Sequence, residues 1–310
     1  MGRFVLRRLA FIAAVCVAIV FFCTFGLRMS VNSISARPRY DVLETARYAA
    51  QDTVRYFSRA LRGDLGQTRQ GTGASSRWVP VTTVVRDTYG KSMGLLAFSL
   101  FIAALFGVVA GIIAAVRRHS PLAIIMLTLT LLGISTPSFF AALLLQVGEI
   151  QWLRTFGFRL VPVGGFGWDS HIILPALVLT ARPLAQLARV TYMSLNDTLE
   201  QDYIRTAAAK GLSRLQILRT HAFRNSAVSI LTAVGVSLRF ALGSLPVVEY
   251  YFNWPGLGAT LLDGIRNRDT SLVLGLALAL GLTFMLINLA LDIAYRLIDP
   301  RLREANMTAE

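Results

Sequence analysis

Six long apolar stretches alternate with polar segments along the 310-residue chain, at roughly 9–27, 92–116, 120–148, 172–195, 226–248 and 270–291. About 20 apolar residues at 1.5 Å each cross the ~30 Å of bilayer hydrocarbon as a helix. The pattern therefore predicts an all-α integral membrane protein with six transmembrane helices. Arg3, Arg7 and Arg8 precede the first stretch, as they would in a secretory signal. Its apolar run is longer than the roughly 7–15 residues of a signal core and no clear small-x-small cleavage site follows, so residues 1–29 read as a retained anchor.

The polar segments carry their own patterns. Between the first two stretches, Leu43, Ala46, Ala50, Val54, Phe57 and Leu61 recur at three- and four-residue steps. They predict one amphipathic helix, capped by Asp41 with Glu44 and ending at Gly63. Residues 67–80, rich in Gly, Ser and Thr, read as a flexible connector. Arg117-Arg118-His119-Ser120-Pro121 is a turn between the second and third stretches. Gly107 and Gly111 have the spacing that lets membrane helices approach closely. Pro137 removes a helical hydrogen bond in mid-membrane and predicts a kink or break, tolerated where it faces protein or water. Residues 149–171, with Pro162, Gly164, Gly165 and Gly167, read as a loop that could dip back into the membrane.

The longest polar interruption of the second half is 202–225, DYIRTAAAKGLSRLQILRTHAFRN. Tyr203 to Lys210 favours a helix closed by Gly211, the residue that most easily adopts the left-handed conformation. Ser213 with Gln216 has capping-box spacing, and Leu215, Leu218 and Ala222 or Phe223 then recur as one helical face. A helix, a glycine elbow and a second amphipathic helix are expected on a membrane surface.

Composition supports the membrane reading, with 55% hydrophobic and 15% charged residues against the roughly 25% charged of a soluble domain. The formal charge of +14 does not require nucleic acid, because basic residues beside membrane spans fix their orientation. Arg3, Arg7, Arg8, Arg117, Arg118, Arg205, Lys210, Arg214, Arg219, Arg224, Arg296, Arg301 and Arg303 share one side if the spans alternate. That side, with both termini, is expected to be cytoplasmic. The arginines of 30–91 weigh little, because segments of about 60 residues cross largely regardless of charge. Cys16 and Cys23 read as packing residues within the first span, and His119, His171 and His221 show no metal-ligand spacing. Gly90-Lys91-Ser92 lacks the glycine of a phosphate-binding loop, since Val85 stands five residues earlier. No nucleotide site, catalytic cluster or cofactor site is legible, so any energy from ATP must come from a partner.

Arg182 and Arg239 fall near the middle of the fourth and fifth stretches, where a charge costs about 3 kcal/mol on insertion scales. Either each is paired within the helix bundle or a subunit interface, or one or both line a passage and favour anionic groups such as a carboxylate. Arg189 can extend to the interface. Asn288 and Asp292 share a face of the last stretch and read as interhelical hydrogen-bonding groups. Trp254-Pro255-Gly256 forms a turn before a short helix at about 259–268, and Tyr250, Tyr251, Phe252 and Trp254 could anchor at the interface.

Several of these motifs together resemble the permease subunits of ATP-binding-cassette importers, in the dipeptide and oligopeptide branch. The segment around Arg205-Thr206-Ala207 and Gly211, continuing AKGLS and HAFRN, is similar to their cytoplasmic coupling loop, with the departure from Glu-Ala-Ala usual in that branch. LRGDLGQT (61–68), LLGISTPSFFAALLLQ (131–146), VVEYYFNWPGLGATLLDGIRNRD (247–269) and the closing DPRLR (299–303) also resemble it, covering about 63–303 in matching order. The peptide permeases usually have a small or apolar residue at the place of Arg239. The resemblance implies a type I importer permease fold for the core at 92–303, with coupling loop 196–226; the chain as a whole is expected to divide into anchor helix 1–29, mostly helical extracytoplasmic segment 30–91, that core, and a tail at 304–310.

It also implies a homologous second permease subunit, expected as a heterodimer, two ATP-binding subunits holding ATP and Mg, and an extracytoplasmic substrate-binding protein. The setting implied is a bacterial or archaeal cytoplasmic membrane. Tyr203, Arg205, Thr206, Ala207, Ala208, Lys210 and Gly211 are the expected ATPase-coupling residues. Arg182, Arg239 and Pro137 are placed in the translocation path, and Glu249, Trp254, Pro255 and Gly256 at an outer gate. Peptides, nickel complexes, glutathione and oligosaccharides remain open as cargo. A secondary transporter would show internal repeats and midplane carboxylates, and only Asp292, near one end of its span, is present.

Overall fold

The computed structural model describes residues 2–32, 42–71 and 76–298. They fall into two compact units, Met1–Ser92 with Pro255–Ala290 and Met93–Trp254 with Leu291–Glu310. Among the described residues five helices are each long and apolar enough to cross a membrane, and a sixth span arises if one bent helix pair counts as a single crossing.

The first unit holds α1 (Gly2–Asn32), α2 (Val42–Ala60), a two-stranded antiparallel sheet of β1 (Gln67–Gln70) and β2 (Arg77–Pro80), the start of α3 (Val81–Val116), α10 (Leu257–Arg266) and most of α11 (Thr270–Ile298). Helix α2 runs back along α1: Tyr56 packs with Val20, Thr24 reaches the Ala49 carbonyl, and Asp52 accepts from Arg28 Nε at 2.8 Å. The helix forms as expected, and Phe57 of its apolar series packs against the Val20–Tyr56 cluster, but the most buried positions are not its large apolar ones. Thr45, Ala49, Thr53 and Tyr56 face inward, whereas Leu43, Val54 and Leu61 are 79%, 70% and 87% exposed. Small residues allow α1 and α2 to approach, and Thr53 Oγ1 is satisfied by the Ala49 carbonyl at 2.8 Å, so inward hydroxyls cost little. The expected cap at Asp41 lies outside the described residues.

The stretch 67–80 is likewise no simple connector, because its described residues pair as a hairpin with Thr68 opposite Val79. Thr68 is buried and bonds Asp269 across the unit at 2.5 Å. Ser92, the end of the apparent nucleotide-loop tripeptide, is fully buried and accepts from the first N–H of α10 at 2.7 Å.

In the second unit α6 (Ile173–Leu199) and α9 (Phe223–Tyr251) form the centre. Ala103, Leu187 and Ala233 make one buried cluster that joins α3, α6 and α9. Gly107 and Gly111 face α6, and a Cβ on Gly111 would stand 2.5 Å from Thr191 Cβ and 2.6 Å from the Ala188 carbonyl. The close approach expected of this pair is therefore made. The third apolar stretch is broken: α4 (Pro121–Ser135) and α5 (Ser138–Phe156) meet at 106° across Thr136 and Pro137. Both residues are extended, and the ring of Pro137 admits no helical N–H at this place.

Candidate coupling surface and transmembrane passage

Helix α7 (Asp202–Ala209) and the following residues form a compact knob at one end of α6 and α9. Ile204, Ala207 and Ile217 are buried together, with Leu199 and Leu212 against them. Lys210 is the C-cap and Gly211 has φ of 83°. The Leu212 N–H donates to the Ala207 carbonyl at 3.3 Å and the Gly211 N–H to that of Ala208 at 3.0 Å. These are the two bonds of a Schellman ending, completed by apolar contact between its first and last residues. Ser213 and Gln216 form the expected capping box, with the Ser213 N–H donating to Gln216 Oε1 at 2.9 Å.

Of the residues expected to couple to an ATPase, Tyr203, Arg205, Thr206, Ala208, Lys210 and Gly211 are exposed and Ala207 is buried beneath them. Tyr203 also has an internal task, because its hydroxyl accepts from Asn225 Nδ2 at 3.0 Å and ties α7 to the start of α9. The second amphipathic helix is not separate. Arg214–Gln216 (α8) leads through a π-helical turn, Ile217–Ala222, into α9, so 214–251 runs as one 38-residue helix. That turn seats Ala222 against Ala115 and Leu195. The widened turn has no apolar period that betrays it in sequence. On the same end, Arg118 Nη1 donates to Asn196 Oδ1 at 3.0 Å and Glu200 Oε1 at 2.8 Å, linking the α3–α4 turn to the last turn of α6.

The two central arginines have different surroundings. Arg239 Nη2 lies 3.5 Å from Asp292 Oδ1 of α11, an ion pair between helices. Asn288 instead donates to the Phe284 carbonyl of its own helix at 2.8 Å. Arg182 has no carboxylate within ion-pair distance among the described residues; its guanidinium carbon lies 4.1 Å over the Phe240 ring. It lines a cavity of about 330 Å³ with Gly133, Thr136, Ser138 and Ser244, beside the α4–α5 break. Arg182 thus shares this cavity with Thr136 and Ser138, the two neighbours of Pro137, while Pro137 itself and Arg239 are not in its lining.

At the opposite end, α5 grips the loop that follows it. Gln146 Nε2 donates to the carbonyls of Val163 at 3.2 Å and Tyr251 at 2.7 Å. Glu149, only 5% exposed, accepts from the N–H groups of Leu160 at 2.8 Å and Val161 at 3.3 Å. Neither role was legible, since both partners are backbone groups of an irregular loop. The Asp169 carboxyl accepts from the His171 N–H at 3.0 Å and contacts its Nδ1 at 2.7 Å, which together hold it below the ordinary carboxylate range. Glu249 and Trp254 are fully buried, and the Trp254 ring stands edge-on to Phe166 and Trp168 at 4.8 and 5.4 Å. Phe252 is buried as well, so Phe252 and Trp254 are core groups of the unit and do not form an interface anchor. Pro255 and Gly256 continue from Trp254 into α10.

Residues 107–304 match the family of binding-protein-dependent transport system inner membrane components. The chain belongs to that family. This importer permease is 39% identical over 251 residues to the glutathione transport system permease protein GsiC of Escherichia coli O6:H1 (strain CFT073), covering 80% of this chain and 78% of that one. It is 35% identical over 254 residues to a Brucella suis biovar 1 (strain 1330) protein provisionally named a peptide permease, with the same coverage. Among solved structures, one of the MetNI methionine ABC transporter in inward-facing conformations superposes with a TM-score of 0.54 at 18% identity, over 70% of this chain and 97% of that one. The permease is a multi-pass membrane protein of the peptide branch of ABC importers, with the all-α fold expected of it.

Proposed function

We propose that this chain is one half of the membrane pore of an ATP-driven importer for peptides or similar small solutes. It works by alternating access in a bacterial or archaeal cytoplasmic membrane, with both termini inside. The observation that carries the reading is the α7 knob: a short helix fixed by a Schellman ending and a buried underside, with its outer residues exposed. A rigid projection of this kind transmits displacement, which a floppy loop would absorb. Two ATPase subunits, holding ATP and Mg, dock on the cytoplasmic side, and one of them receives this knob through Tyr203, Arg205, Thr206, Ala208, Lys210 and Gly211, with Ala207 setting the seat. ATP shifts the pore only as far as it binds one state better than the other.

A homologous permease subunit completes the pore as a heterodimer, and an extracytoplasmic binding protein delivers cargo near Glu249, Trp254, Pro255 and Gly256. Cargo passes the break at Pro137 beside Arg182; the pairing of Arg239 with Asp292 favours a bundle role for that arginine. The domain bounds are those expected above, with the core at 92–303. Glutathione and peptides are the first cargoes to try, because similar permeases bear those names. Copurification from native membranes tests the assembly. A homologous permease and ATPases should follow this chain through purification, and isolation without either would overturn the proposal.

A further inference from the structure

We infer that Arg182 is the anion-binding group of the passage, taking a carboxylate of the cargo, an assignment that rests on the importer reading and adds the charge of what is carried. Arg182 is nine residues into α6, about 14 Å along a helix that spans the bilayer, too deep for its side chain to reach either interface easily. A guanidinium there requires a counter-charge, water or an aromatic face. Within the described residues it has the Phe240 ring and no carboxylate, whereas Arg239, at similar depth, has Asp292. One central arginine is thus neutralised within the chain, and the other keeps its charge for something outside it.

The adjoining break argues that this something arrives through water. Where α4 stops and α5 restarts, the ladder is carried only by Thr136 N–H to the Leu132 carbonyl and Ala141 N–H to the Pro137 carbonyl. The N–H groups of Ser138 to Phe140 have no helical acceptor, because Pro137 caps α5 without a side-chain bond. Unpaired backbone at membrane depth persists only inside protein or beside a wet cavity. The cavity lined by Thr136, Ser138, Ser244 and Arg182 is such a place, and its remaining lining is apolar. A guanidinium held over a ring presents its donor edge to a planar acceptor, and a carboxylate is the planar anion it matches.

The test uses the complete transporter in proteoliposomes, with Cys16 and Cys23 replaced by Ala and Ser244→Cys as a reporter in the cavity wall. Ser244 bonds only carbonyls of its own helix, so this exchange preserves packing between elements. Labelling rates are measured with an anionic sulfonatoethyl and a cationic trimethylammonioethyl methanethiosulfonate, each normalised to free cysteine. The anionic reagent should react faster by roughly tenfold or more, and Arg182→Gln should remove that preference while Arg182→Lys retains much of it. Trialanine should slow the anionic reagent and trialanine amide should not. A cysteine closed to both reagents, or a preference untouched by Arg182→Gln, would overturn the site and indicate an acid of the second subunit as partner. Protection by both tripeptides or by neither would overturn the carboxylate assignment. Failure of the importer reading shows separately, as absence of copurifying ATPases.

Discussion

The elbow at Gly211 offers a graded test of how the knob is held. Its φ of 83° lies in the left-handed region, and a Cβ built there meets nothing within 4 Å. Space is therefore free, and any penalty for a side chain is conformational. A non-glycine residue in this region costs roughly 1–2 kcal/mol, with Asn the best tolerated and β-branched residues the worst. Gly211→Asn, Gly211→Ala and Gly211→Val should therefore form a series, reaching about 2 kcal/mol at Val, close to 30-fold in the equilibrium between the Schellman ending and a frayed one. All three should reach the membrane, because the buried core beneath the knob is untouched. Two readings follow the series: amide exchange of Gly211 and Leu212, and cargo imported per ATP hydrolysed by the reconstituted transporter. Exchange should rise and the transport ratio fall in the order Asn, Ala, Val. Equal behaviour of Asn and Val would show that conformation is not what the glycine supplies, and normal coupling in Val would remove the knob from the energy path.

The pair Arg239 and Asp292 should behave as a unit. Asp292→Asn removes the guanidinium's partner in a half-buried pair and should lower stability by about 1 kcal/mol, while the double change Arg239→Leu with Asp292→Leu should recover most of that in thermal inactivation of the complex; additive losses would refute the pairing. Gly111→Val must part α3 from α6 and should cost about 3 kcal/mol or more, whereas Gly26→Ala, with nothing within 4 Å of its Cβ, should be neutral in the same assay. Glu149→Ala deprives two loop N–H groups of their acceptor and should loosen 157–169 by roughly 2 kcal/mol, read as faster exchange at Leu160 and Val161, while Glu149→Gln should lose less.

The features readable in sequence were those with local grammar. Apolar runs located the spans, Gly211 and the Ser213–Gln216 spacing located the knob, and Pro137 located the break. The size of that break, 106°, follows from two extended residues in succession and could not be read from one proline. The inward face of α2 is not legible from apolar periodicity, because threonines that satisfy their own carbonyls can pack inward while leucines stay exposed. The separate environments of Arg182 and Arg239 depend on α11 meeting α9 at residue 292, a pairing between distant segments with no spacing rule. Gln146 and Glu149 act on backbone, which leaves no partner residue to find.

The bonds from Arg118 to Asn196 and Glu200 give the knob a wider reach than its own chain connections. Glu200 stands just ahead of α7, and Arg118 belongs to the turn between α3 and α4. Under the proposed coupling role, a displacement of α7 would pull on α6 and α9 through the backbone and on the α3–α4 turn through a guanidinium, and α4 leads directly to the break at Thr136. On the importer reading proposed above, the arginine would act as a tie rod between one small projection and four helices.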